Sequence, residues 1–400
     1  MKGRMSEART SVIGALLVAI GPISMALYTP AMPELVRAFG TDPALVKLSL
    51  TLYFAGFAVT QLVCGPLSDA LGRRRTTVIF MILYIAGALV AVLAPTIGWL
   101  LAARLLQGVG ASVGVATARA IVRDQFTGEA SSRIMSTIGM ILALGPAIAP
   151  TIGGFTLALA GWHAIFVVML FFGIAVIGIV LGAMRETTTP NPAMLQPRAI
   201  LSAYGELISS RTFLCCCLVL GGSVGALYTW ATILPFVLID HAGLTPQQFG
   251  IGMLAQSGMF FLGSSLTRLS MRWMPAERLV APGLFAIGLG GLLLLLVLSL
   301  RAPGYIEVMI PVGLYAFGIG FVMPAMTTAA LAPFPRIAGS AAAMMGFMQM
   351  GAGLVGGLVA AAIPDPVLAV RTIIPAFACV AIAAYLALRS PSATPPAVRR

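Results

Sequence analysis

The chain has 400 residues, 59% of them hydrophobic and 9% charged, with a mean hydropathy of +1.01 and a net charge of +12. A soluble globular domain is nearer ~25% charged, so this composition excludes one, and five cysteines in 400 residues exclude a disulfide scaffold. The 24 Lys and Arg are scattered in short loops between apolar runs, which excludes the single basic face of a nucleic-acid-binding protein.

Apolar segments bounded by charge, Pro or Gly predict helices at 10–30, 46–67, 76–94, 97–118, 134–160 and 163–184. After a polar break they resume at 212–239, 248–270, 279–300, 305–332, 338–362 and 366–388. Each is near the ~20 residues that span a bilayer, which makes twelve spans. Runs such as Gly291–Leu300 are too uniformly apolar for the alternation of a barrel strand. The first segment is too long for a signal peptide and lacks a small-residue cleavage site, so it reads as the first span. The turn at Ala94-Pro95-Thr96 carries no charge and is the least marked boundary.

With twelve spans both termini share one side. That side collects 19 of the basic residues, including Lys2, Arg4, Arg9, Arg73, Arg74, Arg75, Arg185, Arg389, Arg399 and Arg400. The other side has 4, namely Arg37, Lys47, Arg301 and Arg371, and Arg104 lies inside a span. The positive-inside rule then predicts cytoplasmic termini.

The longest polar stretch, 185–211, contains Pro190, Pro192 and Pro197. It divides the chain into an N-terminal six-helix bundle (1–184), a linker (185–211) and a C-terminal six-helix bundle with a basic tail (212–400). At an offset of 203 residues Gly40 and Pro43 map onto Gly243 and Pro246, and Gly153-Gly154 onto Gly356-Gly357. Six spans separate the repeats, so they enter from the same side as parallel repeats with a cavity between them.

Taken in chain order, span one ends with Met25 and Tyr28 on its last turns and Glu34 just beyond Pro33. The loop after span two reads Gly65-Pro66-Leu67-Ser68-Asp69-Ala70-Leu71-Gly72-Arg73-Arg74-Arg75. Asp69 and Arg73 have the i,i+4 spacing of a salt link. Gly65 and Gly72 allow a close approach and a tight turn. The plain alternative is a positive-inside loop with an incidental acid. Arg104, in Arg104-Leu105-Leu106-Gln107-Gly108, costs ~2.5–3.5 kcal/mol inside a membrane. It either snorkels to the surface or faces a cavity. Span five carries Gly145-Pro146, Pro150 and Gly153-Gly154, small residues for close packing with two helix-kinking prolines. Tyr53, Tyr228, Trp230, Gln256, Tyr315 and Gln349 fall at mid-helix positions. With Met25, Tyr28 and Arg104 they make a candidate substrate surface of aromatic walls with few polar groups, each of them equally compatible with ordinary packing.

The G-P-L-S-D-x-x-G-R-R-R loop resembles the cytoplasmic signature of the major facilitator superfamily, and R-L-L-Q-G-x-G resembles its fourth-helix motif. The Gly145–Gly154 pattern resembles the motif of its drug exporters. Tyr28-Thr29-Pro30-Ala31-Met32-Pro33, Ala118–Asp124, Gly161–Phe166 and Leu234-Pro235-Phe236-Val237 resemble its Bcr/CflA subfamily of bicyclomycin- and chloramphenicol-resistance exporters, which are drug:proton antiporters. The resemblance implies an all-α membrane protein, with two pseudo-symmetric bundles around a central cavity in a bacterial inner membrane. It implies gating by the Asp69/Arg73 loop, by Arg123 and Asp124 and by the span-five motif, with Arg104 in proton coupling and substrate contact. Two positions depart from it: Ala26 stands where an Asp is common, and His163 where Arg is usual.

With Ala26 no helix has a central carboxylate, and Glu34 is the best remaining acid for a proton. A lone Arg104 disfavours cationic drugs and suits neutral or anionic ones. The expected partners are a small-molecule substrate, a proton and the bilayer, with the chain a monomer. No phosphate-binding G-x-x-x-x-G-K-[ST] segment is present, Cys215-Cys216-Cys217 read as small hydrophobes inside an apolar span, and His163 and His241 stand alone near loop ends, so no cofactor or metal is expected. Proton-coupled drug export leads; an ion-uncoupled facilitator or metabolite transporter is the alternative. A membrane-embedded enzyme lacks a converging catalytic set.

Overall fold

The computed structural model describes residues 5–191 and 196–390, with the side chains at 132, 136, 139–144, 146 and 199 outside the description. Lys2, Arg4, Pro192, Arg399, Arg400 and the side chain of Pro146 therefore fall outside it. Every regular element among the described residues is helical.

The first span is α1 (Glu7–Tyr28), continued through a 3-10 turn (Thr29–Ala31) into a short α2 (Met32–Phe39). Pro30 and Pro33 force this jog, since neither supplies a backbone N–H. Then come α3 (Pro43–Leu71), α4 (Arg73–Val92), α5 (Ile97–Ala111) and α6 (Val113–Gln125). The α4–α5 break falls at the uncharged Ala94-Pro95-Thr96 turn.

Next, α7 runs Gly128–Ala183, 56 residues. At ~1.5 Å per residue it would be roughly 84 Å long, against a hydrocarbon core of ~30 Å. It is two helices meeting at Gly161, whose φ of 74° and ψ of 177° are non-helical and open only to glycine. Both ends of α7 lie on one face. Arg133 pairs with Glu7 at 3.0 Å, and the Arg185 N–H reaches the sulfur of Met5. The two arms are therefore separate spans, five and six.

The second half begins with α8 (Pro197–Ser209), too short to span, and α9 (Arg211–Pro235). It continues with α10 (Pro246–Ser270), α11 (Ala276–Leu300), α12 (Tyr305–Leu331), α13 (Ala338–Ala362) and α14 (Pro366–Arg389). Eleven stretches of the described residues are long and apolar enough to cross a membrane; one of them, Ala147–Ala183, runs across the Gly161 break, and taking the two arms of α7 as separate spans makes twelve.

Buried side chains form two cores. One draws on the chain from Met5 to Met184 together with Ala231 and Phe236 of the second half, the other on Tyr204 to Tyr385. The repeat read at an offset of 203 is structural. Gly40 and Gly243 both have positive φ, 55° and 74°, and Pro43 and Pro246 both open a helix behind a side-chain N-cap, Asp42 and Thr245. Gly153 and Gly356 each abut the first spanning helix of their own half, at Leu27 of α1 and Thr229 of α9. Gly154 and Gly357 each abut the opposite half, at Pro246 and Thr51.

The start of α1 and the end of α14 share a face, on which the Tyr204 hydroxyl of α8 also donates across to the Leu62 carbonyl of α3. The backbone N–H of Met5 donates to Gln125 (2.8 Å), and Arg211 donates to the carbonyl of Ala387 (2.7 Å). This is the terminal face, and the opposite one is the distal face.

Candidate functional site

Arg104 sits on α5 and is fully buried, so it does not snorkel. Its guanidinium lies between two tyrosine rings, 4.4 Å from the centroid of Tyr28 and 4.5 Å from that of Tyr53. Nη1 donates to Gln107 Oε1 at 2.7 Å, while Nε and Nη2 have no hydrogen-bond partner. None of the ion pairs among the described residues involves Arg104. Desolvated cation–π contacts are worth about 2 kcal/mol each, the same order as the insertion cost of a charge. The rings thus do part of the work that a carboxylate would otherwise do.

Both tyrosines are pinned through their hydroxyls. Tyr28 Oη is 2.6 Å from Ser49 Oγ, and Tyr53 Oη donates to the Gly21 carbonyl at 2.9 Å. Met25 and Ala26 are buried in the same core, and Met169 from the second arm of α7 lies 4.0 Å from Arg104 Nη1. Across the interface Tyr228 packs on Phe54 (5.6 Å between centroids) and touches both cores.

The other sequence candidates are spread out. Trp230 and Tyr315 meet edge-to-face at 5.5 Å inside the second core, where Tyr315 Oη donates to the Gly222 carbonyl (2.7 Å). They pack within their own half, away from Arg104. Gln256 is buried on α10 with its Oε1 unpartnered, and Gln349 is half-buried on α13. Glu34 is half-buried in the first turn of α2 and joins none of the ion pairs among the described residues. Sequence reasoning did not single out Gln61, buried on α3 with an unpartnered Oε1 against Gly346. A polar residue in an apolar span was the available signal.

On the terminal face Arg73 is the hub. It pairs with Asp69, with Asp124 (Nε to Oδ2, 3.1 Å) and with Ser68 Oγ (3.0 Å). Thr187 Oγ1 donates to the same Asp124 oxygen at 2.8 Å. Glu186 closes the cluster, its two carboxylate oxygens accepting the backbone N–H groups of Arg73 (2.7 Å) and Arg74 (3.1 Å). Those are orphan donors at the start of α4, where a negative charge also suits the helix dipole. Gly72, at φ 96°, makes the turn, and a Cβ there would stand 2.5 Å from Glu186 Oε2. Gly65 was expected to permit a close approach, but nothing lies within 4 Å of where its Cβ would be. The exposed guanidinium of Arg123 lies 4.0 Å from the corresponding point on Gly339 of the other half.

On the distal face the halves are in contact. Gly154 abuts Pro246, Gly250 abuts Pro150, and Thr151 Oγ1 donates to the Gly250 carbonyl at 3.0 Å. Gly145 is half-buried beside Ile23 of α1, so only part of the span-five motif faces the other half.

Two helical bundles of six spans, with a charge cluster on one face and a buried arginine among aromatics, have the architecture of a membrane transporter. A model of the Major Facilitator Superfamily matches residues 14–361, and the chain belongs to that superfamily. It is 31% identical to the uncharacterized MFS-type transporter YdgK of Bacillus subtilis, over 87% of each chain. It is 27% identical to multidrug resistance protein D of Escherichia coli, over 86% of each. It is 26% identical to a bicyclomycin resistance protein homolog of Haemophilus influenzae, over 94% of each. Among solved structures, a bacterial homolog of the human lysosomal transporter Spinster superposes with a TM-score of 0.72 at 16% identity, covering 96% of this chain and 97% of that one. The last comparison speaks to fold alone.

Proposed function

We propose that the chain exports small drug-like molecules from the bacterial cytoplasm by proton antiport, alternating between two states. The terminal face is cytoplasmic in this reading, as the 19-to-4 distribution of basic residues argues. The relatives named for multidrug and bicyclomycin resistance support export of drugs. The observation that carries the substrate class is Arg104, a buried cation with two unpartnered guanidinium nitrogens, held between Tyr28 and Tyr53 with no acid paired to it. Such a site favours neutral or anionic aromatic compounds, phenicol- and bicyclomycin-type antibiotics among them by resemblance, and penalises cations.

A second reading is favoured by one observation. Ala26 is buried at the position where the resemblance leads one to expect an acid, which leaves Glu34 as the nearest carboxylate in sequence. An ion-uncoupled facilitator needs no such group. Reconstitution in proteoliposomes with an internal pH dye separates the two readings. Substrate-induced proton flux supports antiport. Substrate movement without a pH change supports the facilitator.

A further inference from the structure

Lys47 is a charged residue for which the transport reading has no use. The positive-charge count assigns it to the side opposite the termini, at the start of the predicted span 46–67, and in the structure it is inside α3 and only 1% exposed. Its Nζ donates to two backbone carbonyls of the opposite half, Ala360 (3.1 Å) and Ile363 (3.3 Å). These are at the end of α13, where a helix exposes unsatisfied carbonyls and the negative pole of its dipole. The ammonium also lies 5.5 Å from the ring centroid of Phe236, just past α9 and in the same opposite half. One turn further along α3, Thr51 abuts Gly357 of α13. A lysine that caps a helix of its own half would be a stability device. This one caps a helix of the other half, so its bonds exist only while the distal face is shut.

We propose that Lys47 is the distal latch of the transport cycle. It is a positioning residue whose ammonium holds α3 against the end of α13 and sets the population of the distally closed state. Opening that face strips the ammonium of both carbonyls and of the Phe236 ring, and water must take their place. The inference rests on the alternating-access reading above but not on any substrate. Charge and donor number are what matter. Arginine can keep the contact, glutamine weakens it, and methionine fills the volume without donating.

Two spin labels across the distal face test it, at Ala38→Cys and Ala302→Cys, both exposed positions in opposite halves. The five native cysteines are replaced in this background. The distance distribution is read in the full-length protein in nanodiscs. With Lys47 present a short-distance population dominates. Lys47→Gln and Lys47→Met raise the ratio of long to short distances by about tenfold, as loss of hydrogen bonds to a charged group implies, and Lys47→Arg restores the short one. Distributions for Lys47→Gln and Lys47→Met that superimpose on that of the parent overturn the latch, even if the protein exports drugs. A lengthened distance in a protein that exports nothing keeps the latch and removes the export reading.

If the neutral variants do not fold, the native side chain provides the readout. Lys47 and Lys2 are the only lysines, so Lys2→Arg leaves one. The latch requires Lys47 in the resting protein to be protected from an amine-reactive reagent relative to the unfolded chain. Modification at the rate of the unfolded chain overturns it.

Discussion

The carboxylate of Glu186 accepts the backbone N–H of Arg73 at 2.7 Å, although 113 residues separate them in sequence. Through this contact the start of the linker holds the first turn of α4, and with it the guanidinium that Asp69 and Asp124 share. The cluster on the terminal face is thus built from three loops, and its geometry depends on a residue outside the signature motif.

Glu186→Gln keeps one acceptor oxygen and loses the charge, whereas Glu186→Ala loses both. A cap of this kind is worth ~1 kcal/mol. The alanine variant should melt a few degrees lower and transport severalfold more slowly, with the glutamine variant between them. Substrate affinity should stay within a few fold for both. Binding and initial-rate measurements on the same preparations check this, and a large affinity loss with an unchanged rate would contradict it.

Asp69 is expected to gate and not to bind. It pairs with Arg73 on the terminal face, whereas Arg104 is buried among Tyr28 and Tyr53. Asp69→Asn should therefore slow transport about tenfold while affinity changes by a few fold at most. Asp124→Asn should act in the same direction, because Arg73 then loses its other acid. The double variant should cost less than the product of the two single effects, since both act through one guanidinium.

The contact of Gly154 with the Pro246 backbone leaves no room for a side chain. Gly154→Val should hold the distal face apart and reduce transport by an order of magnitude or more. Gly65→Ala, with open space around it, should transport normally. Efflux from cells expressing matched amounts of each variant is the measurement.

Much of this was legible in the sequence because it is local. Twelve apolar runs, the Asp69/Arg73 spacing and the doubled Gly-Gly pairs all follow from periodicity and composition. The offset of 203 paired Gly40 with Gly243, and both turn out to be left-handed. What was not legible depends on long-range placement. Lys47 reads as a cation at the start of a span until α13 is seen to end above it. Glu186 has no motif, and its role arises from where span six returns the chain. Trp230 resembled a binding aromatic, but Tyr315 and the second core enclose it. The lack of an acid beside Arg104 was legible, since no span carries a central carboxylate, whereas its enclosure between two rings was not, because the tyrosines come from α1 and α3.

Topology has its own check. A reporter fused after Arg400 should be active only in a cytoplasm-type assay, because the basic residues gather on the terminal face. Periplasmic activity would reverse the direction of transport proposed here.

In the proposed export site Arg104 is the lone buried charge, with no acid paired to it. The decisive measurement is efflux of one neutral phenicol and one permanently charged lipophilic cation by the parent, Ala26→Asp and Arg104→Lys, across a pH series. The parent should favour the neutral compound. Arg104→Lys keeps the charge but loses the planar stack between Tyr28 and Tyr53, and should lose about tenfold in neutral efflux. Ala26→Asp should raise the cation-to-neutral ratio and steepen the dependence on pH. An unchanged ratio in Ala26→Asp, together with full activity in Arg104→Lys, would contradict the account and leave Arg104 as a packing residue of the first bundle.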